Sequence, residues 1–152
     1  MNNRNGEAMA PLESANAWIR LQEMLREAAE MVPAADAVVR ACDAPGPKGT
    51  EPAREAGRLV SAFLRLSRET QALPVAAGIK TRAVQLLNYH LELIGQASLM
   101  AYGNQSERTR RAIGSGGLGP RAQELVDLAQ ELAAMPAPPA RTPDRDHPAS
   151  SA

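Results

Sequence analysis

Aliphatic residues recur at spacings of three and four along most of this chain, and clusters of proline and glycine interrupt that spacing. Alanine and leucine dominate the periodic stretches, and only 3% of the 152 residues are aromatic. Both are good helix formers, whereas the β-branched and aromatic residues typical of strands are sparse and scattered. The pattern predicts an all-α fold, a bundle of four to five helices with disordered N- and C-terminal tails.

The proline and glycine clusters also predict how the chain is divided. We expect a disordered N-terminus at 1–13, a helical bundle over 14–135 and a disordered Pro-rich tail at 136–152. Within the bundle, a Pro/Gly loop at 44–52 and a Gly-rich loop at 114–119 separate helices. Pro33 either kinks the first helix or begins a second, short one, with Ala37, Val38, Ala41 and Cys42 facing inward. Pro120 is well placed as the first residue of the last helix. A helix over about 53–73 is expected to have an inner face formed by Ala56, Leu59, Val60, Phe63, Leu66 and Thr70.

The stretch from Ile79 to about residue 113 has the widest apolar arc. Two adjacent seams of apolar residues run along it, so this helix is expected to pack against two or more neighbours. We take Leu87, Leu91 and Ile94 as the candidate face that binds a partner helix or a second copy of the chain. The alternative, that every apolar face is closed inside the bundle, is equally favoured.

Charge disfavours general nucleic-acid binding, because 17 basic residues are balanced by 17 acidic ones. One local exception is the basic cluster formed by Arg108, Arg110 and Arg111. Solvated cations near a helix C-terminus explain it better than phosphate contacts. A regulator that binds nucleic acid through this cluster remains a weaker alternative, and an acidic protein partner is another.

Targeting signals and disulfides are not indicated. No apolar run is long enough for a bilayer span, and the first 16 residues have no signal-peptide core. The single cysteine, Cys42, cannot form an internal disulfide, and its inward position predicts an inert packing thiol. We therefore expect a cytoplasmic protein that does not associate with membranes.

Catalytic, metal and cofactor motifs are also missing from the sequence. The Gly-rich loop lacks both the Lys-Ser/Thr ending and the preceding strand of phosphate-binding motifs, so we expect a flexible connection. His90 has no carboxylate or second histidine three or four residues away, which favours a partly buried histidine hydrogen-bonded across the bundle over a metal ligand. A small-molecule site or enzyme near His90 is the main alternative.

One short stretch resembles a known family. Residues 87–97, LNYHLELIGQA, are similar to the Leu-Asn and Leu-Ile run in the long C-terminal helix of FlgN-type flagellar export chaperones. The length of the chain and the order of its helices are also similar. The resemblance implies a small helical protein that holds a helix of an exported subunit, with the face around Leu87, Leu91 and Ile94 in contact with it.

Together these observations predict a non-enzymatic helical interaction module without cofactor or metal. It binds a partner helix or associates with itself, and the resemblance implies a role like that of an export chaperone. The predicted binding residues are Leu87, Leu91, Ile94, Arg108, Arg110 and Arg111.

Overall fold

The computed structural model describes residues 3–102 and 117–136, with side chains from Ala15 onward. Four α-helices account for nearly all of them: α1 (Asn3–Asp43), α2 (Thr50–Ala72), α3 (Ala77–Tyr102) and α4 (Pro120–Ala134). These two ranges contain no strand. The prediction of an all-α helical bundle is confirmed.

Two ion pairs show how α1 and α2 are oriented, and a short connection leads on to α3. Arg20 of α1 pairs with Glu69 near the end of α2 at 3.0 Å, and Arg65 pairs with Glu27 farther along α1. The two helices are therefore antiparallel. Residues 73–76 connect α2 to α3, which returns beside α2.

The last helix packs against both α1 and α3. The side-chain amide of Gln22 donates hydrogen bonds to the carbonyls of Leu132 and Met135, near the C-terminal end of α4. The Leu132 carbonyl lies in the last turn of α4, where carbonyls lack the full set of partners within the helix. Arg82 of α3 pairs with Glu131 at 3.3 Å. Gln22 therefore links α1 to the C-terminal end of α4, and Arg82 links α3 to it.

Aliphatic side chains fill the core, as the scarcity of aromatic residues requires. Phe63 is the largest side chain that is completely buried, and it belongs to the predicted inner face of α2. Burial of apolar area is the main favourable contribution to folding, at roughly 25 cal/mol per Å². The other large and completely buried side chains are Leu21, Met24, Leu25, Leu59, Leu66, Leu87, Ile94, Leu118, Leu125, Leu128 and Leu132.

The start of α1 differs from expectation, and its course through Pro33 excludes one of the two alternatives for that residue. Helix α1 begins at Asn3, within the segment 1–13 that was predicted to be disordered, and it passes through Pro33 without ending. Proline inside a helix costs about 3 kcal/mol. Packing on both sides of Pro33 offsets this cost, because Ala28 and Ala35 lie in the same core. Residues 137–152, most of the predicted tail, lie outside the described residues.

Candidate functional site

The face predicted to bind a partner is part of the core. Leu87 and Ile94 are both 0% exposed, and Leu91 is partly buried against the same cluster. The apolar arc of α3 is wide because α3 packs against α1, α2 and α4, all within this chain. The placement of a binding face at these residues is therefore wrong, and the alternative of internal closure describes this part of α3.

The predicted arginine cluster, Arg108, Arg110 and Arg111, lies outside the described residues and stays a prediction. The nearest described residue before it is Tyr102, at the end of α3. The Tyr102 hydroxyl donates to the carbonyl of Gly49 at 2.6 Å. This contact places the end of α3 beside the connection between α1 and α2.

His90 lies at the interface of α3 with α2. Its imidazole is 0% exposed, stacks on Phe63 with ring centroids 5.3 Å apart and meets the edge of Tyr89 at 5.5 Å. Nδ1 lies 2.7 Å from the carbonyl oxygen of Leu86. Because a carbonyl only accepts, the proton of the neutral ring lies on Nδ1. Nε2 is buried and has no hydrogen-bond partner among the described residues.

The prediction of a hydrogen bond from His90 across the bundle is therefore wrong, because the imidazole bonds to a carbonyl of its own helix. Burial lowers the pKa of His90, and the hydrogen bond to Leu86 opposes that shift. A neutral and enclosed imidazole has no route to a substrate or metal ion in this conformation. The group on which the enzymatic alternative depends is thus inaccessible here.

Part of the Gly-rich loop is bound to α1 by the Asp36 clasp, which consists of Asp36, Arg40, Leu118 and Tyr89. The Leu118 N–H donates to Asp36 Oδ1 at 2.9 Å, and Arg40 Nε donates to Oδ2 at 2.6 Å. These two bonds, first that of Arg40, hold the pKa of Asp36 below its ordinary value. A loop amide that could have bound phosphate is therefore already bound to a carboxylate of this chain.

The other side of the same loop is held by α3. The Tyr89 hydroxyl donates to the Leu118 carbonyl at 2.6 Å, and the side chain of Leu118 is buried in the core. Gly117 has φ +65°, and a Cβ there would clash with the Asp36 carboxylate. Glycine is required at this position by both conformation and space. The described end of the loop, residues 117–119, is thus a fixed structural element.

Cys42 is buried at the C-terminal end of α1. Burial raises the pKa of its thiol, and the neighbouring charge of Asp43 adds to that shift. A thiol with a raised pKa is a poor nucleophile at neutral pH. The interpretation of Cys42 as a packing residue agrees with this environment.

An open groove of about 360 Å³ lies between the second half of α1 and the start of α2. Ala34, Ala37 and Ala41 line it from α1, and Pro52 lines it from α2. Its surface is mostly apolar, and its lining includes two glutamates on the α2 side. We call it the α1–α2 groove; its complete lining is Ala34, Ala37, Val38, Ala41, Glu51, Pro52 and Glu55.

Sequence reasoning placed Ala37 and Ala41 inside the bundle and so missed this groove. Ala37 is exposed and Ala41 is half-buried, whereas Val38 between them is buried. The signal that could have revealed the groove is side-chain size, because the stripe Ala34, Ala37 and Ala41 contains no large residue. A stripe of small residues in a helix leaves space that a neighbouring helix does not fill.

Other observations limit what kind of site this part of the chain can hold. Among the described residues, no three histidine, cysteine, aspartate or glutamate side chains are grouped so that they could hold a metal ion. No helix within residues 3–102 and 117–136 is both long and apolar enough to cross a membrane. No protein-family model, curated protein or solved structure matches the chain.

Proposed function

We propose that this protein is a non-enzymatic interaction module whose α1–α2 groove binds one amphipathic helix of a protein partner. The observation that supports this proposal is the open apolar groove lined by Ala34, Ala37 and Ala41. Helix-in-groove recognition places the apolar face of one helix against such a surface. Alanine side chains allow the backbone of the bound helix to approach closely.

The polar groups of the groove favour a helix over a small molecule. Small-molecule sites combine an enclosed cavity with several convergent polar groups that orient the ligand. Here the side chains with polar groups are Glu51 and Glu55, both on α2, and the opposite wall is apolar. An apolar surface with charge along one edge matches an amphipathic helix.

The same two glutamates indicate the charge of the partner. Glu51 lies in the first turn of α2, where the helix dipole stabilises a negative charge. Glu55 accepts hydrogen bonds from Arg58, which lowers its pKa and offsets much of its charge, so Glu51 contributes most of the net negative charge of this edge. We therefore propose a partner helix with lysine or arginine along the edge that faces α2.

An export-chaperone role is the finer form of this proposal. The resemblance of residues 87–97 to FlgN-type chaperones supports the binding of a helix. It does not support the surface first assigned to that role, because Leu87 and Ile94 lie in the core. The α1–α2 groove is the surface that we propose instead.

The experiment uses two synthetic amphipathic helical peptides with the same alanine and leucine face. One carries lysines along one edge, and its twin carries glutamates at the same positions. We expect the protein to bind the lysine peptide at least tenfold more tightly in fluorescence anisotropy, and Glu51→Gln to reduce that preference. Screening by salt should weaken the preference as well.

Ala37→Lys tests the location of the site, with Ala133→Lys as its matched control. Both alanines are exposed on helices, so neither substitution should unfold the protein. Ala37→Lys places a long, positively charged side chain in the groove and should reduce binding of the lysine peptide at least tenfold, whereas Ala133→Lys should leave it unchanged. Equal binding of both peptides, or no binding, contradicts the proposal. A dimer in sedimentation velocity that Ala37→Lys dissociates would identify a second copy as the occupant instead.

A further inference from the structure

We infer that His90 is an acid-sensitive element of the fold, whose protonation at Nε2 weakens the packing of α3 against α2. The inference starts from the tautomer. Because the proton of the neutral ring lies on Nδ1 and bonds to Leu86, the next proton can add only at Nε2. That atom is buried and has no partner among the described residues.

Within the part of the chain that the structure describes, Nε2 has no hydrogen-bond acceptor that would stabilise the new charge. Phe63 covers one face of the ring and the edge contact is Tyr89. A cation stacked on Phe63 gains some attraction from the aromatic face, but it gains no hydrogen-bond acceptor and loses its water. The charged form of His90 is therefore much more stable in an opened or unfolded chain than in the folded one.

Charged side chains on the neighbouring helices bind to other groups. On α2, Arg65 pairs with Glu27 and Glu69. On α1, Asp36 is bound by Arg40 and by the Leu118 amide. The causes of the pKa shift of His90 are burial and the Leu86 carbonyl, and neither is a charged neighbour.

On α4, the guanidinium of Arg121 lies 5.8 Å from the centre of the Tyr89 ring. The hydroxyl of Tyr89 is already committed to the Leu118 carbonyl. No carboxylate among the groups identified on α1, α2 or α4 is thus available to His90.

The sign of the pH dependence follows from the lowered pKa of His90. The unfolded chain binds a proton at the ordinary histidine value, about 6.5, whereas the folded chain binds it only at lower pH. Stability is therefore complete above about pH 6.5 and declines as the pH falls toward the folded value. One proton changes the folding equilibrium constant by at most tenfold per pH unit.

Acid opening would also alter the α1–α2 groove, because α2 supplies Glu51, Pro52 and Glu55 to it. This consequence alone rests on the proposed function. The acid sensitivity of His90 itself is a property of the α2–α3 interface and can be tested without any partner. Failure of the peptide experiment would therefore leave the pH experiment informative, and the reverse holds as well.

The test measures urea unfolding from pH 7.5 to 5.0, followed by the fluorescence of Trp18 and by circular dichroism. His90→Gln and His90→Phe remove the titrating group, and His147→Gln, at the other histidine of the chain, is the matched control. We expect the urea midpoint of the wild type and of His147→Gln to fall with pH, while the midpoints of both His90 variants stay level. A level profile for the wild type, or a parallel decline in the His90 variants, overturns the inference.

A direct measurement covers the case in which the His90 variants fail to fold. The imidazole nitrogens of the wild type report both tautomer and titration in ¹⁵N NMR. We expect a proton on Nδ1 at pH 7.5 and a His90 pKa below about 6.5. A proton on Nε2, or a pKa at or above that value, would overturn the inference.

Discussion

Along the interface of α1 with α2, the half of α1 that contains Leu21, Met24 and Leu25 differs from the half that contains Ala34, Ala37 and Ala41. In the first half the large side chains are completely buried, and ion pairs from Arg20 and Arg65 cross between the helices. In the second half the alanines line an open groove. Both halves follow the same helical spacing, so spacing does not separate them; the side chains that line the open half are smaller than those that fill the closed half.

The largest effect that separates the two halves should come from removing side-chain volume. Leu66→Ala removes a completely buried side chain from α2, in the half that the ion pairs bridge, and should lower the free energy of unfolding by about 2–5 kcal/mol. Val38→Ala, beside the groove, removes two carbons and should cost roughly 1–2 kcal/mol. Urea unfolding monitored through Trp18 measures both values.

Similar losses in these two variants would contradict the comparison. They would mean that the groove wall is packed as tightly as the closed half. The control is Ala133→Gly on the exposed face of α4, which changes helix propensity alone. Because Ala133 is the penultimate residue of α4, the loss should stay below the roughly 1 kcal/mol expected in a helix interior.

The open half of α1 is nevertheless held in place, and the Asp36 clasp is the reason. Asp36→Ala removes the acceptor of both the Arg40 and the Leu118 bonds and should cost about 1–2 kcal/mol, whereas Asp36→Asn retains an acceptor for the Leu118 amide and should cost less. Hydrogen exchange should show faster exchange of the Leu118 amide in Asp36→Ala. An unchanged exchange rate there would show that the clasp does not hold the loop.

The contribution of the Asp36 clasp to stability also depends on pH. The pKa of Asp36 is lowered in the fold, so its contribution is complete above about pH 4 and is lost as the pH falls through the lowered value. This range lies below the one expected for His90. Unfolding free energies of Asp36→Asn and the wild type should therefore approach each other as the pH falls below about 4, and a constant difference between them would contradict this assignment.

Periodicity predicted the fold and most of the core. The inner face expected for α2, including Ala56, Leu59, Phe63 and Leu66, is buried as predicted. Helical spacing reports which side of a helix is apolar, and in a small bundle that side is packed inside. The same reasoning succeeded for α4, which begins at Pro120 as expected.

The candidate site could not be predicted in the same way. Spacing does not distinguish an apolar stripe that a neighbouring helix covers, such as Leu87 and Ile94, from one that is left open, such as Ala34 and Ala37. The bond between the Leu118 amide and Asp36 joins residues that are 82 positions apart. Local sequence carries no information about such a pair, which depends on how the helices assemble.

The smallest expected effect concerns the ion pairs at the closed half, and it decides whether charge or volume closes the interface. Arg65 pairs with Glu27, but both side chains are more than 40% exposed. Exposed pairs contribute about 0.2–1 kcal/mol because water and salt screen them. A double-mutant cycle with Arg65→Met and Glu27→Gln should therefore give a coupling free energy in that range, and 1 M NaCl should reduce it. A coupling free energy as large as the loss of stability in Leu66→Ala would show that charge closes this half. The groove would then be open because no ion pairs bridge it, and the small size of its residues would not be the cause.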